Sequence, residues 1–331
     1  MHILVTGGCG FIGSNFIHYW RKEHPLDRIT NIDALTYAGN PQNLAAIPAN
    51  DPTYRFIHAS ITDQQAVHEA FEGVDVVVHF AAETHVDRSI LGSRVFLETN
   101  VLGTHTLLEE ALKRKNQLWR FHHISTDEVF GSLPLEGNER FTETTPYAPR
   151  SPYSASKAAA DHLVMSYVHT HKLPITVSNC SNNYGPYLFP EKFIPLAITN
   201  LMQDKPIPVY GKGLNVRDWL HVSDHCRAID AILHRGAPGQ SYAIGADEEH
   251  TNIEVAHRLL KAFNLSEETH LRYVEDRKGH DLRYAIDYSK LEHNLDWRPT
   301  ISFDQGLTEM IAWYRENEAW WRPLLPKQLP S

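Results

Sequence analysis

The chain has 331 residues, 42% of them hydrophobic, enough for a large core in one big domain or two smaller ones. A net charge of −9 argues against a general nucleic-acid binder, and no apolar run approaches the roughly 18 residues of a membrane span. The start, MHILVTGG, lacks the features of a signal peptide, and Cys9, Cys180 and Cys226 are far apart and odd in number, so a reducing cytoplasm without disulfides is expected.

HILVTG (2–7) reads as a strand and runs directly into a glycine loop, TGGCGFIG (6–13), with a helix expected over 11–24. Gly7, Gly10 and Gly13 are spaced G-x-x-G-x-x-G, and Gly8, Gly10 and Gly13 also satisfy G-x-G-x-x-G. Missing side chains permit a tight turn and let a pyrophosphate approach the backbone, where free N–H groups of the next helix face it. The strand before the loop and the amphipathic stretch after it turn a weak pattern into a dinucleotide site. The second strand, RITNID (28–33), ends in Asp33, whose carboxylate can accept both hydroxyls of an adenosine ribose and would repel a 2′-phosphate. Ala34 follows, not an Arg, so NAD is expected over NADP.

Strands at YRFIHA (54–59), VDVVVHFAA (74–82), WRFHHIS (119–125) and PITVSN (174–179) alternate with helices near 64–72, 90–115 and 152–172. Strands that are apolar on both faces and alternate with helices predict an α/β fold, a doubly wound parallel (Rossmann) sheet with right-handed crossovers. Beyond residue 180 Gly and Pro cluster in NNYGPYLFPEKFIP and KPIPVYGKG, and the elements shorten. The predicted division is a Rossmann domain over 1–180, to which 214–236 returns, and a smaller C-terminal α/β substrate domain made of 181–213 and 237–331. Histidine is abundant at 21, but His122-His123 and His169-x-His171 lack metal-ligand spacing and no Cys-x-x-Cys is present, so no metal is expected.

Two stretches carry chemistry. STDEVFG (125–131) ends a strand with two adjacent acids, which repel each other unless something uses them. YSASK places Tyr153 and Lys157 four apart, on one face of a helix. A phenol titrates near ~10 and must fall by roughly three units to act as a base at neutral pH. A nearby ammonium and a positive nicotinamide ring both push it down.

With TGGCGFIG, FAAETHVDRS (80–89), STDEVFG and SPYSASK in order, the chain resembles the extended short-chain dehydrogenase/reductase family over nearly its whole length. The resemblance implies that Thr126 joins Tyr153 and Lys157, steadying the substrate oxygen that loses its proton. A dehydrogenase or epimerase of this family needs only these three. Asp127 and Glu128 fit a further step, loss of water across two carbons. Once C4 of a sugar is oxidised with Tyr153 as base, the C5 proton becomes acidic. An ionised Glu128 can take it while a protonated Asp127 donates to the departing 6-hydroxyl. Return of the hydride to C6 gives a 4-keto-6-deoxy sugar and regenerates NAD. The acids must differ in protonation, which repulsion and unequal burial bring about. Neighbours on a strand point to opposite faces, so the strand must have ended there.

HHISTDEVFG, NIDALTYAGN (31–40), ETNVLGT (98–104), SNNYGPYLFPEKFIP (181–195), PVYGKGLNVRDWLHVSDH (208–225) and DRKGHDLRYAID (276–287) resemble the dTDP-glucose 4,6-dehydratases within that family. The resemblance implies an NAD site at Gly7, Gly10, Phe11, Ile12, Gly13, Asp33, Ala34, Leu35, Thr36, Ser60, Ile61, Ala81, Ala82, Thr99, Tyr153, Lys157 and Asn183. It implies a nucleotide-sugar site, for dTDP-glucose, at His85, Thr126, Asn182, Lys192, Phe193, Pro208, Val209, Tyr210, Arg217, Asn252, Asp276, Arg277, Lys278, Gly279 and His280. Lys192, Arg217 and Arg277 can neutralise a diphosphate, and Tyr210 can flank a base. Ser60 stands where the family usually has Asp, and Ala243 where Asn is common.

The rival expectations are a 4-epimerase or 4-reductase, a dehydratase using UDP-glucose, and a dinucleotide-sensing protein without catalysis. The two acids speak against the first, since neither rival must expel water. Intact Tyr153, Lys157 and Thr126 speak against the last. The family commonly pairs through two helices per subunit, so the helices at 90–115 and 152–172 are expected to build a homodimer.

Overall fold

The computed structural model describes residues 1–276 and 279–325. Its first half alternates β1 (His2–Thr6), α1 (Phe11–Glu23), β2 (Arg28–Asp33), β3 (Tyr54–His58), α2 (Gln64–Ala70) and β4 (Val76–His79). There follow α3 (Val86–Leu91), α4 (Arg94–Phe96), α5 (Thr104–Lys113), β5 (Arg120–Thr126), α6 (Pro152–His171) and β6 (Ile175–Cys180). The second half holds β7 (Asn182–Tyr184), α7 (Phe193–Leu201), β8 (Ile207–Tyr210), β9 (Val216–His221), α8 (Val222–Arg235) and β10 (Ser241–Ile244). The described part closes with β11 (Glu249–Thr251), α9 (Asn252–Phe263), α10 (Glu267–His270), β12 (Leu271–Val274), α11 (Ser289–Leu295), α12 (Phe303–Glu316) and α13 (Glu318–Trp321).

Seven parallel strands form the main sheet in the order β10-β6-β5-β4-β1-β2-β3. Alternate residues of each strand enter different layers, as the pleat requires. Ile3, Val5, Val76 and Val78 pack with Phe16 and Trp20 of α1 and Ile229 and Leu233 of α8. Leu4, Val77 and Phe121 pack on the other face with Leu107 and Leu108 of α5 and Val164 of α6. The strand order reverses between β1 and β4, so the loops that leave them diverge and open a crevice at the C-terminal edge. A three-stranded sheet, β11-β9-β7, and a two-stranded one, β12-β8, build the smaller lobe above that edge.

The doubly wound parallel sheet agrees with the sequence-based expectation, while two details differ from it. The helix expected over 90–115 is not continuous: the chain is extended at Gly92, and a π turn over Leu97–Gly103 precedes α5. β10, for which no strand signal was seen, joins the edge of the main sheet beside β6 from the segment assigned to the substrate domain. In the returning segment α8 packs against α1, whereas β9 stays in the small sheet. Among the described residues no helix is long and apolar enough to cross a membrane.

One buried carboxylate sets the height of α6 on the sheet. Asp161 accepts from His123 Nε2 at 3.0 Å, Ser125 Oγ at 2.7 Å and the Tyr147 hydroxyl at 2.9 Å. Asp161→Ala leaves the His123 and Ser125 donors buried and unpaired, at roughly 1–3 kcal/mol each. The variant is expected to show a clear fall in the urea midpoint of unfolding; an unchanged midpoint would contradict this account of α6.

Candidate active site

The crevice is a cleft of about 940 Å³ between the main sheet and the smaller lobe. Its floor begins at the glycine loop. Gly7 has φ +72°, and a Cβ there would lie 2.7 Å from the Ala81 backbone; one at Gly13 would lie 2.3 Å from the Gly7 carbonyl oxygen. No side chain caps α1 at Gly10 and no acid sits in its first turn, so its N–H groups face the cleft. At the end of β2, Asp33 accepts from the N–H groups of Cys9 and Leu35, both at 2.8 Å. Burial raises its pKa, and these two bonds oppose the rise. The cradle, the open helix end and the acid at the end of β2 suit a dinucleotide with a free ribose diol.

The chemical groups meet where β5 ends. Thr126 is its last residue, and its hydroxyl caps a 3₁₀ turn, Asp127–Phe130, by accepting from the N–H of Glu128 at 3.3 Å. The turn takes the two acids out of the strand's alternation. Asp127 is 2% exposed, whereas Glu128 is partly exposed. Thr126 donates to Asp127 Oδ1 at 3.2 Å, and Oδ2 has no hydrogen-bond partner among the described residues. Burial first, then the Glu128 and Asp218 carboxylates, raise the Asp127 pKa well above the ordinary carboxylate value, with Arg217 opposing. Asp218 on β9 is itself raised to about 7 by burial.

α6 supplies the other two groups. It starts at a capping box between Ser151 and Ser154, with Pro152 in its first turn. Tyr153 and Lys157 follow on one face and are both buried. Lys157 Nζ donates to the Ile124 carbonyl at 2.6 Å. Burial lowers its pKa, with Asp161 opposing. Tyr153 is hydrogen-bonded to the Thr126 side chain, but burial and then Glu128 raise its phenol well above the ordinary value. A nearby ammonium and the positive nicotinamide ring are expected to push this phenol down. In the protein alone, burial and Glu128 decide the direction instead.

The cleft is lined by Gly7, Gly10, Phe11, Ile12, Gly13, Asp33, Ala34, Thr36, Ser60, Ile61, Ala81, Ala82, Thr99 and Asn183 of the expected cofactor set. His85, Thr126, Asn182, Lys192, Phe193, Pro208, Tyr210, Arg217, Asn252, Gly279 and His280 of the substrate set line it as well. Three expected residues do not. Leu35 contributes its N–H to Asp33, not a cleft wall. Val209 points into the core, because the pleat of β8 turns Pro208 and Tyr210 to the other side. Asp276 accepts from His280 Nδ1 at 2.7 Å from outside the lining. Arg277 and Lys278 lie outside the described residues.

Several lining residues went unnamed although they sit inside the quoted motifs. Tyr37 follows Asp33 in NIDALTYAGN, and Arg88 stacks over its ring at 3.8 Å while pairing with Glu191 at 3.2 Å. Glu83, in FAAETHVDRS, is raised by burial. Tyr284, in DLRYAID, carries the Arg217 guanidinium over its ring at 4.2 Å and donates to Asp281 at 2.5 Å. Arg217 also donates to the carbonyls of Val216 and Asp281, which hold it at the cleft wall.

A parallel switch-point cleft with a glycine cradle, an acid closing the second strand and a Tyr–Lys pair beneath a hydroxyl defines a nicotinamide-dinucleotide enzyme of the short-chain dehydrogenase/reductase type. The two acids narrow the class further. The chain belongs to the GDP-mannose 4,6 dehydratase family, whose model matches residues 4–310. A dTDP-glucose 4,6-dehydratase of Mycobacterium tuberculosis is 50% identical over 325 residues, covering 98% of this chain and 96% of that protein. The dTDP-glucose 4,6-dehydratase of Escherichia coli is 46% identical over 351 residues, with the same coverage of 98% and 96%. DesIV, the dTDP-glucose 4,6-dehydratase of Streptomyces venezuelae, has a crystal structure with NAD and TYD bound. It matches with a TM-score of 0.93 at 47% identity, covering 98% of this chain and 100% of that one. The UDP-glucose 4-epimerase of Thermus thermophilus, in complex with NAD, matches at 0.87 with 27% identity, covering 96% and 100%.

The raised Asp127 has a consequence for stability. The folded protein holds this proton more tightly than the unfolded chain, where Asp titrates near ~3.9, so the Asp127 contribution falls as pH rises above that value. Asp127→Asn removes the titration. Its unfolding midpoint relative to the parent chain is expected to rise between about pH 5 and about pH 8. A difference independent of pH would mean that Asp127 is ionised throughout.

Proposed function

We infer that this chain is an NAD-dependent hydro-lyase that converts dTDP-glucose to dTDP-4-keto-6-deoxyglucose. The observation that carries the reading is the buried Asp127, whose pKa burial and the neighbouring Glu128 raise well above the ordinary value, and which is hydrogen-bonded to Thr126, itself bonded to Tyr153. Family membership and relatives near 50% identity support the same activity.

Bound NAD supplies the acceptor for the C4 hydride, its return at C6, and a positive ring that lowers the pKa of a neighbouring phenol. Gly7, Gly10 and Gly13 would hold its pyrophosphate, Asp33 its adenosine ribose, and Lys157 its nicotinamide ribose. Tyr153 then takes the proton of the sugar 4-hydroxyl, and Thr126 steadies the oxygen that becomes the 4-ketone. The ketone acidifies C5–H. Glu128 removes that proton, and Asp127 gives its own to the 6-hydroxyl, which leaves as water. Glu128 returns a proton to C5 as C6 is reduced, and the balance is loss of one water. Arg217 and Lys192 would meet the diphosphate, with Tyr210 beside the base. Ser60 keeps a hydroxyl at its cleft position.

The chain is proposed to act as a homodimer in the cytoplasm. Ile90, Leu91, Val95, Leu97 and Leu102 are exposed apolar residues of one segment, Leu91 at 90%, and a second copy would cover them. The cysteines are buried free thiols, in keeping with a reducing compartment. Sedimentation is expected to give twice the chain mass; a monomer would reject the pairing.

Incubation with dTDP-glucose in heavy water is expected to yield a product lighter by one water with one deuterium at C5. Tyr153→Phe is expected to lose about 10²–10⁴ in turnover, the usual worth of a positioned acid or base. Asp127→Asn and Glu128→Gln are expected to lose a comparable factor while still oxidising C4, seen as reduced nicotinamide absorbance without water loss. Conversion of UDP-glucose in preference to dTDP-glucose would reassign the base. Epimerised sugar of unchanged mass would sink the dehydratase reading.

A further inference from the structure

A second cluster of titratable groups lies away from the cleft, where the end of α1 meets α8. His24 caps α1 at its C-terminal end, and Asp230 and His234 stand one turn apart on one face of α8. His24 Nε2 is 3.2 Å from Asp230 Oδ2, and His234 Nδ1 is 2.7 Å from Asp230 Oδ1. We propose that His24, Asp230 and His234 form a site for one divalent transition-metal cation of the Zn²⁺ class.

Three observations carry the assignment. The ligand atoms of all three residues lie within 4.8 Å of one another. A tetrahedral Zn²⁺ with bonds of about 2.0–2.1 Å needs ligand atoms about 3.3 Å apart, and those here lie between 2.7 Å and 4.8 Å apart. The two imidazoles are also held by ring packing: His24 stacks on Trp20 at 4.0 Å, and His234 lies parallel to the same indole at 5.6 Å. Finally, Asp230 has an outer partner, since the Tyr19 hydroxyl donates to its Oδ2 at 2.7 Å; such bonds orient metal ligands.

The surrounding charges permit a cation. Arg227 is engaged by Asp224 at 2.6 Å and by the Arg298 carbonyl at 2.9 Å, and Arg235 donates to the Leu295 carbonyl. The exposed Asp296 lines the same surface pocket and adds negative potential. The pocket leaves the fourth position open to water. Two His and one carboxylate suit Zn²⁺ and its neighbours, not Ca²⁺ or Mg²⁺. A cation here would tie α1 to α8. It would sit about 20 Å, the length of α1, from the glycine loop, so its role is structural.

The test uses the full untagged chain, stripped with chelator and titrated with Zn²⁺ in a calorimeter at neutral pH. The expected result is one ion per chain and a higher unfolding temperature, because an ion bound only by the folded state stabilises it. His24→Ala, Asp230→Asn and His234→Ala should each weaken binding at least about tenfold and leave turnover unchanged. Co²⁺ provides a check on the parent chain alone, since tetrahedral coordination gives intense visible absorption. Zn²⁺ affinity equal in all three variants, or no binding and no Co²⁺ band in the parent chain, overturns the site and leaves an ion-pair cluster.

Discussion

The cleft depends on α6 lying at one height and one rotation against β5, and the Asp161 carboxylate holds it there. Tyr153, Lys157 and Asp161 are spaced four apart and run along one line of the helix. Fixing Asp161 to His123 and Ser125 therefore fixes Lys157 beneath Ile124 and Tyr153 beside Thr126. Burial would raise the carboxyl, but the His123 bond, the Lys157 charge and the Ser125 bond outweigh it and keep Asp161 ionised. That buried negative charge opposes the loss of the Lys157 proton. One group thus sets both geometry and charge.

A second chain of bonds reaches Tyr153 from the other side and carries no charge. His79 lies between the hydroxyls of Thr6 and Thr104, at 2.7 and 2.9 Å, and burial pushes its pKa well down. Thr104 donates to the Asn100 carbonyl, Asn100 to Ser156, and Ser156 to the Tyr153 carbonyl. The Asn100 side chain also pairs with both backbone groups of Glu83, closing the loop after β4. The π turn has a physical role in this chain, because it carries Asn100 into the interior and Thr99 to the cleft. π turns are often found at functional sites for such reasons.

What the sequence disclosed and what it hid divide along the distance between partners in the chain. The strands β1 to β6 were legible because they are short β-rich runs that alternate with helices, and Tyr153 and Lys157 because their spacing is local. The break at Gly92 was not legible, since a single Gly within an apolar-periodic stretch reads as tolerated helix. β10 is four residues long, too short for periodicity to declare. The network of Asp161, His79 and Asn100 joins residues that are remote in sequence, and the motif that holds Asn100 does not show its partners. The same limit hides the metal-type cluster, because Asp230 and His234 share α8 while His24 ends α1, far off in the sequence. Tyr37, Glu83 and Tyr284 differ again: they lie inside recognisable motifs, and only the folded cleft tells which residues of a motif face inward.

The similarity in fold to a UDP-glucose 4-epimerase shows how little scaffold the dehydratase chemistry adds. Oxidation at C4 needs the dinucleotide cradle, the hydroxyl, the phenol and the lysine, all supplied by β1, β5 and α6. In the proposed mechanism, dehydration adds an acid and a base that must stay in opposite protonation states one residue apart. On a strand they would face opposite sides of the sheet. In open water both would ionise. The 3₁₀ turn after Thr126 solves the first problem by taking both side chains out of the pleat. Unequal burial solves the second, with Asp127 enclosed while Glu128 remains partly exposed. Each carboxylate favours the proton on its neighbour, so the more buried one takes it. In the proposed mechanism, the mutual repulsion that makes adjacent acids costly in a fold is thus the force that sorts them into donor and acceptor.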